Sequence, residues 1–169
     1  GLVTSGAAAA LTLGAAAILA GYDLGRIERL PDCRGFPHEF VVAREQRNGY
    51  DHAVRASGAR LVEVGFNEVV AGSGVRRTEA WEFEAAIRAT TAGVLHVHDS
   101  KARPPLSEVT AVAHRHGLPV LVDAAGELDD VDEPRAHMIL VVGHRRLDVD
   151  AREQLGVASG DVGARGEDG

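Results

Sequence analysis

LPVLVDAAGE, residues 118–127, decides the fold class. Its unbroken apolar run closes on Asp123, and a half-exposed strand would instead alternate apolar with polar positions. It therefore reads as a strand covered on both faces. GVLHVHDS (93–100) has the same form and also leaves polar residues at its exit. Between the two lies PLSEVTAVAHRHG (105–117), a helix that begins with proline and ends with glycine. Moving outward, TEAWEFEAAIRATTAG (78–93) reads as an amphipathic helix capped by Thr78, with Trp81, Phe83, Ala86 and Ile87 on its apolar side. ARLVEVGF (59–66) is a strand, NGYDHAVRASG (48–58) a helix closed by Gly58, and EFVVAREQ (39–46) a short buried strand. Residues 67–78 form a Gly-rich loop, and MILVV (138–142) is a candidate next strand. Strands alternating with helices at this spacing imply right-handed crossovers. The fold class is α/β: three layers, a mostly parallel sheet with helices on both faces.

The chain opens on GLVTSGAAAALTLGAAAILAG (1–21). This run is too alanine-rich for a membrane span and has no positive leader before it, so neither a membrane segment nor a signal peptide is expected. It reads as a helix that is apolar all round and hence buried, with Thr4 or Ser5 as its cap. TSGAAAA then sets a hydroxyl, a glycine and free backbone N–H groups at a buried helix start, which favours a phosphate; the plain alternative is a capped core helix. The absence of an initiator methionine suggests that the natural N-terminus is missing.

The 169 residues suffice for one domain with a core, and 45% apolar with 25% charged residues fits a globular chain. A net charge of −7 gives no overall electrostatic footprint for nucleic acid. One cysteine, Cys33, excludes an internal disulfide and suits a reducing cytoplasm.

In doubly wound sheets ligands bind beyond the carboxyl ends of the strands. Arg44, Gln46, His98, Ser100 and Asp123 stand at those ends, where TSGAAAA could face them. Asp123 is the most informative: a carboxylate at the mouth of a central strand is costly to bury without a cation or donor, unless it merely caps the next turn. A phosphate site and a buried carboxylate in one crevice suit a ligand with a phosphate and a basic nitrogen, and pyridoxal 5'-phosphate is such a ligand.

VTSGAAAAL, RNGYDHAVRASGARLVEVG, GVLHVHDS and HRHGLPVLVDAAGEL, taken in order, resemble the selenocysteine synthase-like group of fold-type I pyridoxal-phosphate enzymes. That group includes L-seryl-tRNA(Sec) selenium transferase and ammonia-lyases acting on phosphorylated amino sugar acids. The resemblance covers roughly residues 1–130. It implies that Ser5, Gly6 and Ala7 hold the cofactor phosphate. It further implies that Asp123 pairs with the pyridinium nitrogen, and that Ser100, with His98 beside it, lies near the ring. Arg44, Gln46 and Tyr50 would belong to the segment facing substrate. The substrate implied is a small amino acid or aminoacyl compound, tRNA being disfavoured by the charge, and the intact family member is implied to be a homo-oligomer.

The chain departs from the family after Asp123. The family's Schiff-base lysine follows that aspartate by some tens of residues, yet the only lysine here is Lys101, on a different strand exit. Residues 1–143 are therefore expected to form a partial large domain and residues 144–169 an irregular, out-of-family tail, and the polypeptide as written is expected to be inactive. The alternative is a noncatalytic α/β module that binds a phosphorylated metabolite or a partner chain. His96 and His98 share a strand face and could chelate, but without a third ligand no metal site is expected. His114 and His116 are expected to meet their own helix's carbonyls.

Overall fold

The computed structural model describes residues 4–66, 77–99 and 101–125, and the backbone of Ile139–Val142. Five helices and five strands are described: α1 (Ala7–Ala20), α2 (Leu24–Arg29), β1 (Glu39–Ala43), α3 (Asp51–Ala56), β2 (Arg60–Val64), α4 (Ala80–Ala86), β3 (Thr91–Val97), α5 (Leu106–Arg115), β4 (Val120–Asp123) and β5 (Ile139–Val142). The sheet order is β2-β1-β3-β4-β5. The first four strands run parallel and β5 pairs antiparallel to β4, Val120 facing Val142 and Asp123 facing Ile139.

Pleating divides the sheet between two apolar layers. Phe40, Val42, Leu95 and Leu121 point to one face, where Leu11, Ala15 and Leu19 of α1 and Ala53 and Val54 of α3 cover them. Val41, Val94, Val120 and Val122 point to the other, under Phe83 of α4 and Val109, Val112 and Ala113 of α5. Every residue of β1 and β4 is buried, as unbroken apolar runs require, while the edge strand β2 is partly exposed. The fold is thus the three-layer α/β arrangement read from the sequence.

Several local expectations change. The helix α1 is not buried all round: Leu11, Ala15 and Leu19 face the sheet, but Leu13 is 49% exposed, because only one stripe of a helix can meet the layer beneath it. Its N-cap is Gly6 without a side-chain cap bond, and Thr4 Oγ1 instead donates to the Gly6 carbonyl at 2.9 Å. The EFVVAREQ strand stops at Ala43, and Arg44–Gln46 form one turn of 3-10 helix. Helix α4 is capped by Glu79 in a capping box with Glu82, while the Thr78 N–H donates to Glu45 Oε1 at 2.9 Å. Trp81 is 56% exposed, because two residues turn a helix by about 200° and Phe83 has taken the inward side. His116 reaches across to α4, where it and Arg115 bind Glu84 and hold its carboxyl below the usual carboxylate range.

Gly58 sits after α3 at φ 97°, a left-handed conformation that suits glycine. A Cβ there would press on the Pro31 carbonyl and lie 2.7 Å from Cys33 Sγ. Cys33 is buried, and burial pushes its thiol upward, so it packs as an apolar residue rather than serving as a nucleophile. No helix among the described residues is long and apolar enough to cross a membrane.

Candidate functional site

The chain leaves β1 for β2 on one side and returns to β3 on the other, so the winding reverses between β1 and β3. This is the switch point at which doubly wound sheets open a crevice. Pairing of the two strands is registered only as far as Val41 with Val94, although β3 continues to Val97. Gln46 fills the gap. Its Oε1 accepts the Val97 N–H at 3.1 Å, and its Nε2 lies 3.4 Å from both the Arg103 carbonyl and His96 Nδ1.

An amide nitrogen only donates, so His96 Nδ1 accepts and the proton of the neutral ring resides on Nε2. That Nε2 is buried without a hydrogen-bond partner. Burial, with the neighbouring His98 adding to it, lowers the His96 pKa from 6.5 to about 4, so the ring is neutral near pH 7. The His96 and His98 rings lie 6.0 Å apart, and no group of three metal-ligating side chains occurs among the described residues.

On the α1 side of the sheet a narrow cleft of about 10 Å³ is lined by Leu11, Tyr50, Asp51, Leu95, Val97 and Asp123 among others. Asp123 is buried at the end of β4. Its Oδ1 accepts the Ala125 N–H at 3.2 Å and its carbonyl accepts the His98 N–H at 2.8 Å, which ties the β3 and β4 exits together. Leu11 belongs to the second turn of α1, so the start of that helix, with Ser5, Gly6 and Ala7, lies at the same end of the sheet. The first turn has no side-chain cap, which leaves its N–H groups to an outside acceptor.

The site residues read from the sequence therefore separate. Asp123 and Tyr50 line the cleft, and Ser5, Gly6 and Ala7 begin the helix beside it. His98 is held by its backbone at the Asp123 carbonyl. Gln46 is committed to β3 and the 101–105 loop, and Arg44 Nε to Glu63 at 3.0 Å. Ser100, the 143/144 boundary and the tail from 144 to 169 lie outside the described residues. Asp51 was not singled out by sequence reasoning: buried in the cleft wall, it pairs with Arg47, which also reaches Glu63. The available signal was RNGYD, in which Arg47 and Asp51 are one helical turn apart.

No protein-family profile matches the chain. It is 38% identical over 133 residues to a 5'-C-glycyluridine monooxygenase-decarboxylase from a Streptomyces species, covering 73% of this chain and 31% of that protein. It is 31% identical over 135 residues to D-glucosaminate-6-phosphate ammonia lyase of Salmonella typhimurium (75% and 34%). It is 35% identical over 101 residues to L-seryl-tRNA(Sec) selenium transferase of Desulfovibrio desulfuricans (52% and 20%). A solved structure of a D-glucosaminate-6-phosphate ammonia-lyase superposes with a TM-score of 0.63 at 31% identity, over 75% of this chain and 34% of that one. The chain thus spans about a third of the first two relatives. On these likenesses, in sequence and in fold, it belongs with the selenocysteine synthase-like group of fold-type I pyridoxal-phosphate enzymes.

Proposed function

We propose that this chain is a partial pyridoxal-phosphate lyase or transferase domain that binds its cofactor without a covalent bond and is not itself active. The observation that carries the reading is that buried Asp123 and Leu11, from the second turn of an uncapped helix, line one cleft. The donor types suit the cofactor's phosphate and ring nitrogen, while the cleft, at about 10 Å³, holds no more than a water and has to widen to admit the ring. The N–H groups of Gly6, Ala7 and their neighbours, with the Ser5 hydroxyl, suit a phosphate dianion. A buried carboxylate needs a cationic partner, and a protonated pyridine nitrogen is one. When bound, the cofactor supplies an electron sink for bond breaking at the α-carbon of an amino acid.

The chain's own residues have divided roles in this reading. Asp123 holds the ring nitrogen protonated, and the hydrogen bond it accepts from Ala125 fixes its carboxylate. Tyr50 stands at the cleft wall and His98 at the β3 exit, where substrate would be oriented; Ser100 is assigned near the ring. Gln46 keeps the strand exits in place, and Arg44 braces the Glu63–Arg47–Asp51 cluster. What is missing is the group that moves a proton at the α-carbon. Lys101, the only lysine, follows β3 rather than β4. The substrate class is a small amino acid or aminoacyl compound, and we place the protein in the cytoplasm as a homo-oligomer.

Titration of the full chain with pyridoxal 5'-phosphate tests this, followed by calorimetry and by cofactor absorbance. Saturable binding that Asp123→Ala abolishes, with no lysine adduct after borohydride reduction, is the expected result. Binding indifferent to Asp123→Ala would favour the second reading, a noncatalytic anion-binding module. A reduced adduct on Lys101 would overturn the noncovalent assignment.

A further inference from the structure

A separate cavity lies on the other face of the sheet, between the first turns of α4 and α5. It is a groove of about 820 Å³ lined by Arg77, Trp81, Arg103, Pro104, Pro105 and Glu108 among others. Its volume falls within the range of small-ligand sites, and the cofactor reading makes no use of it.

The lining groups differ in how committed they are. Arg77 binds Glu45 and donates to the Lys101 carbonyl at 3.4 Å. Arg103 is exposed; its Nη1 donates to the neighbouring Ala102 carbonyl at 2.8 Å, and among the described residues it forms no ion pair with a carboxylate. Its backbone is held, because Gln46 Nε2 donates to the Arg103 carbonyl at 3.4 Å. An exposed guanidinium on a held backbone is a ready partner for phosphate. The first turn of α5 has no side-chain cap; the Glu108 N–H donates to the Pro105 carbonyl at 3.0 Å, which leaves the N–H groups of Leu106 and Ser107 as donors at the same wall.

Trp81 supplies the second half. It is 56% exposed, an unusual exposure for so large an apolar side chain. Its indole N–H donates to Glu79 Oε2 at 2.8 Å, which orients the ring. An oriented indole face stacks on a flat heteroaromatic ring. Glu108, exposed in the first turn of α5, offers a carboxylate to the exocyclic amine of such a ring.

We propose that this groove is a second ligand site and that it takes a free nucleoside monophosphate, the base against Trp81 and the phosphate at Arg103 and the start of α5. The net charge of −7 disfavours a polynucleotide over a mononucleotide.

Trp81 is the only tryptophan of the chain, so its fluorescence reports on this groove alone. The full chain is titrated with adenosine 5'-monophosphate, adenosine and inorganic phosphate. Adenosine 5'-monophosphate quenches saturably; adenosine binds about tenfold more weakly or worse, and phosphate alone does not quench. Arg103→Ala weakens the nucleotide by the same factor, with the far-ultraviolet circular dichroism unchanged. Asp123→Ala leaves the titration as it was, which separates this site from the cofactor cleft. No saturable quenching, equal affinity for nucleotide and nucleoside, or loss of the signal in Asp123→Ala would each overturn the proposal. Tighter binding of a short oligoribonucleotide than of the mononucleotide would do so as well. The nucleotide-to-nucleoside comparison is made on the unmodified chain and does not depend on any variant folding.

Discussion

Gln46 and His96 meet inside the molecule where β1 and β3 part, the Gln46 amide nitrogen 3.4 Å from His96 Nδ1. The same side chain accepts the Val97 N–H at 3.1 Å, so a single amide substitutes for the strand ladder that the reversal of winding interrupts. The candidate cleft depends on this join, because Val97 is part of its wall.

Replacing Gln46 by leucine keeps the bulk and removes both hydrogen-bonding ends. The Val97 N–H and His96 Nδ1 are then left without partners, at about 1–3 kcal/mol for a buried group. Urea unfolding of Gln46→Leu is expected to show a loss of about 2 kcal/mol. An unchanged midpoint would mean that the amide is not what closes the sheet.

His96 sets a dependence on acid. Its folded pKa of about 4 lies below the ordinary 6.5, so folding favours the neutral ring. Above pH 6.5 the ring is neutral in both states and stability is complete. As the pH falls from 6.5 towards 4, the unfolded chain takes up a proton that the native chain refuses, and stability drops by about 1.4 kcal/mol per unit. The total is about 3 kcal/mol, reached below pH 4, where both states are protonated. Carboxylates titrate in the lower part of this window, so the comparison is between the parent and His96→Gln. The variant is expected to lack this extra slope between pH 6.5 and 5.

The sheet and its order of elements were legible because burial on both faces writes itself as unbroken apolar runs. VLVD and GVLHV could hardly be anything else. Asp123 was legible for a related reason, as a charge that ends such a run. What could not be read was which way the polar residues after β1 would turn. Arg44, Gln46, Arg47 and Asp51 all follow one strand, and only the three-dimensional position of Glu63 on β2 and of Val97 on β3 decides their partners. Trp81 was misjudged because an apolar residue in a short helix is assigned inward by default. The exposed stripe of α1 was hidden by its composition: alanine on every side gives no periodic signal.

Gly58 is where the left-handed conformation matters most. At φ 97°, with the Pro31 carbonyl and Cys33 Sγ against the place a Cβ would occupy, alanine meets both backbone strain and overlap. Pro31 presents backbone, which yields less readily than a flexible side chain. Gly58→Ala is expected to cost about 3 kcal/mol in thermal or denaturant unfolding. Cys33→Ala in the same chain relieves only the sulfur contact and is expected to restore less than half of the loss.

Trp81 and Phe83 stand two residues apart in α4 and give a paired measurement. Phe83 is fully buried and packs among Val109, Val112 and the valines of β1 and β3, so Phe83→Ala opens a cavity between helix and sheet. The expected loss is about 3–5 kcal/mol. Trp81→Ala removes a larger side chain but one that is 56% exposed, and the expected loss is about 0.5 kcal/mol or less. Denaturant midpoints of the two variants check this directly. A large loss at Trp81 would mean that the indole is packed in solution and that the α4–α5 groove is closed, whereas a small loss beside a severe one at Phe83 fixes which side of α4 belongs to the core.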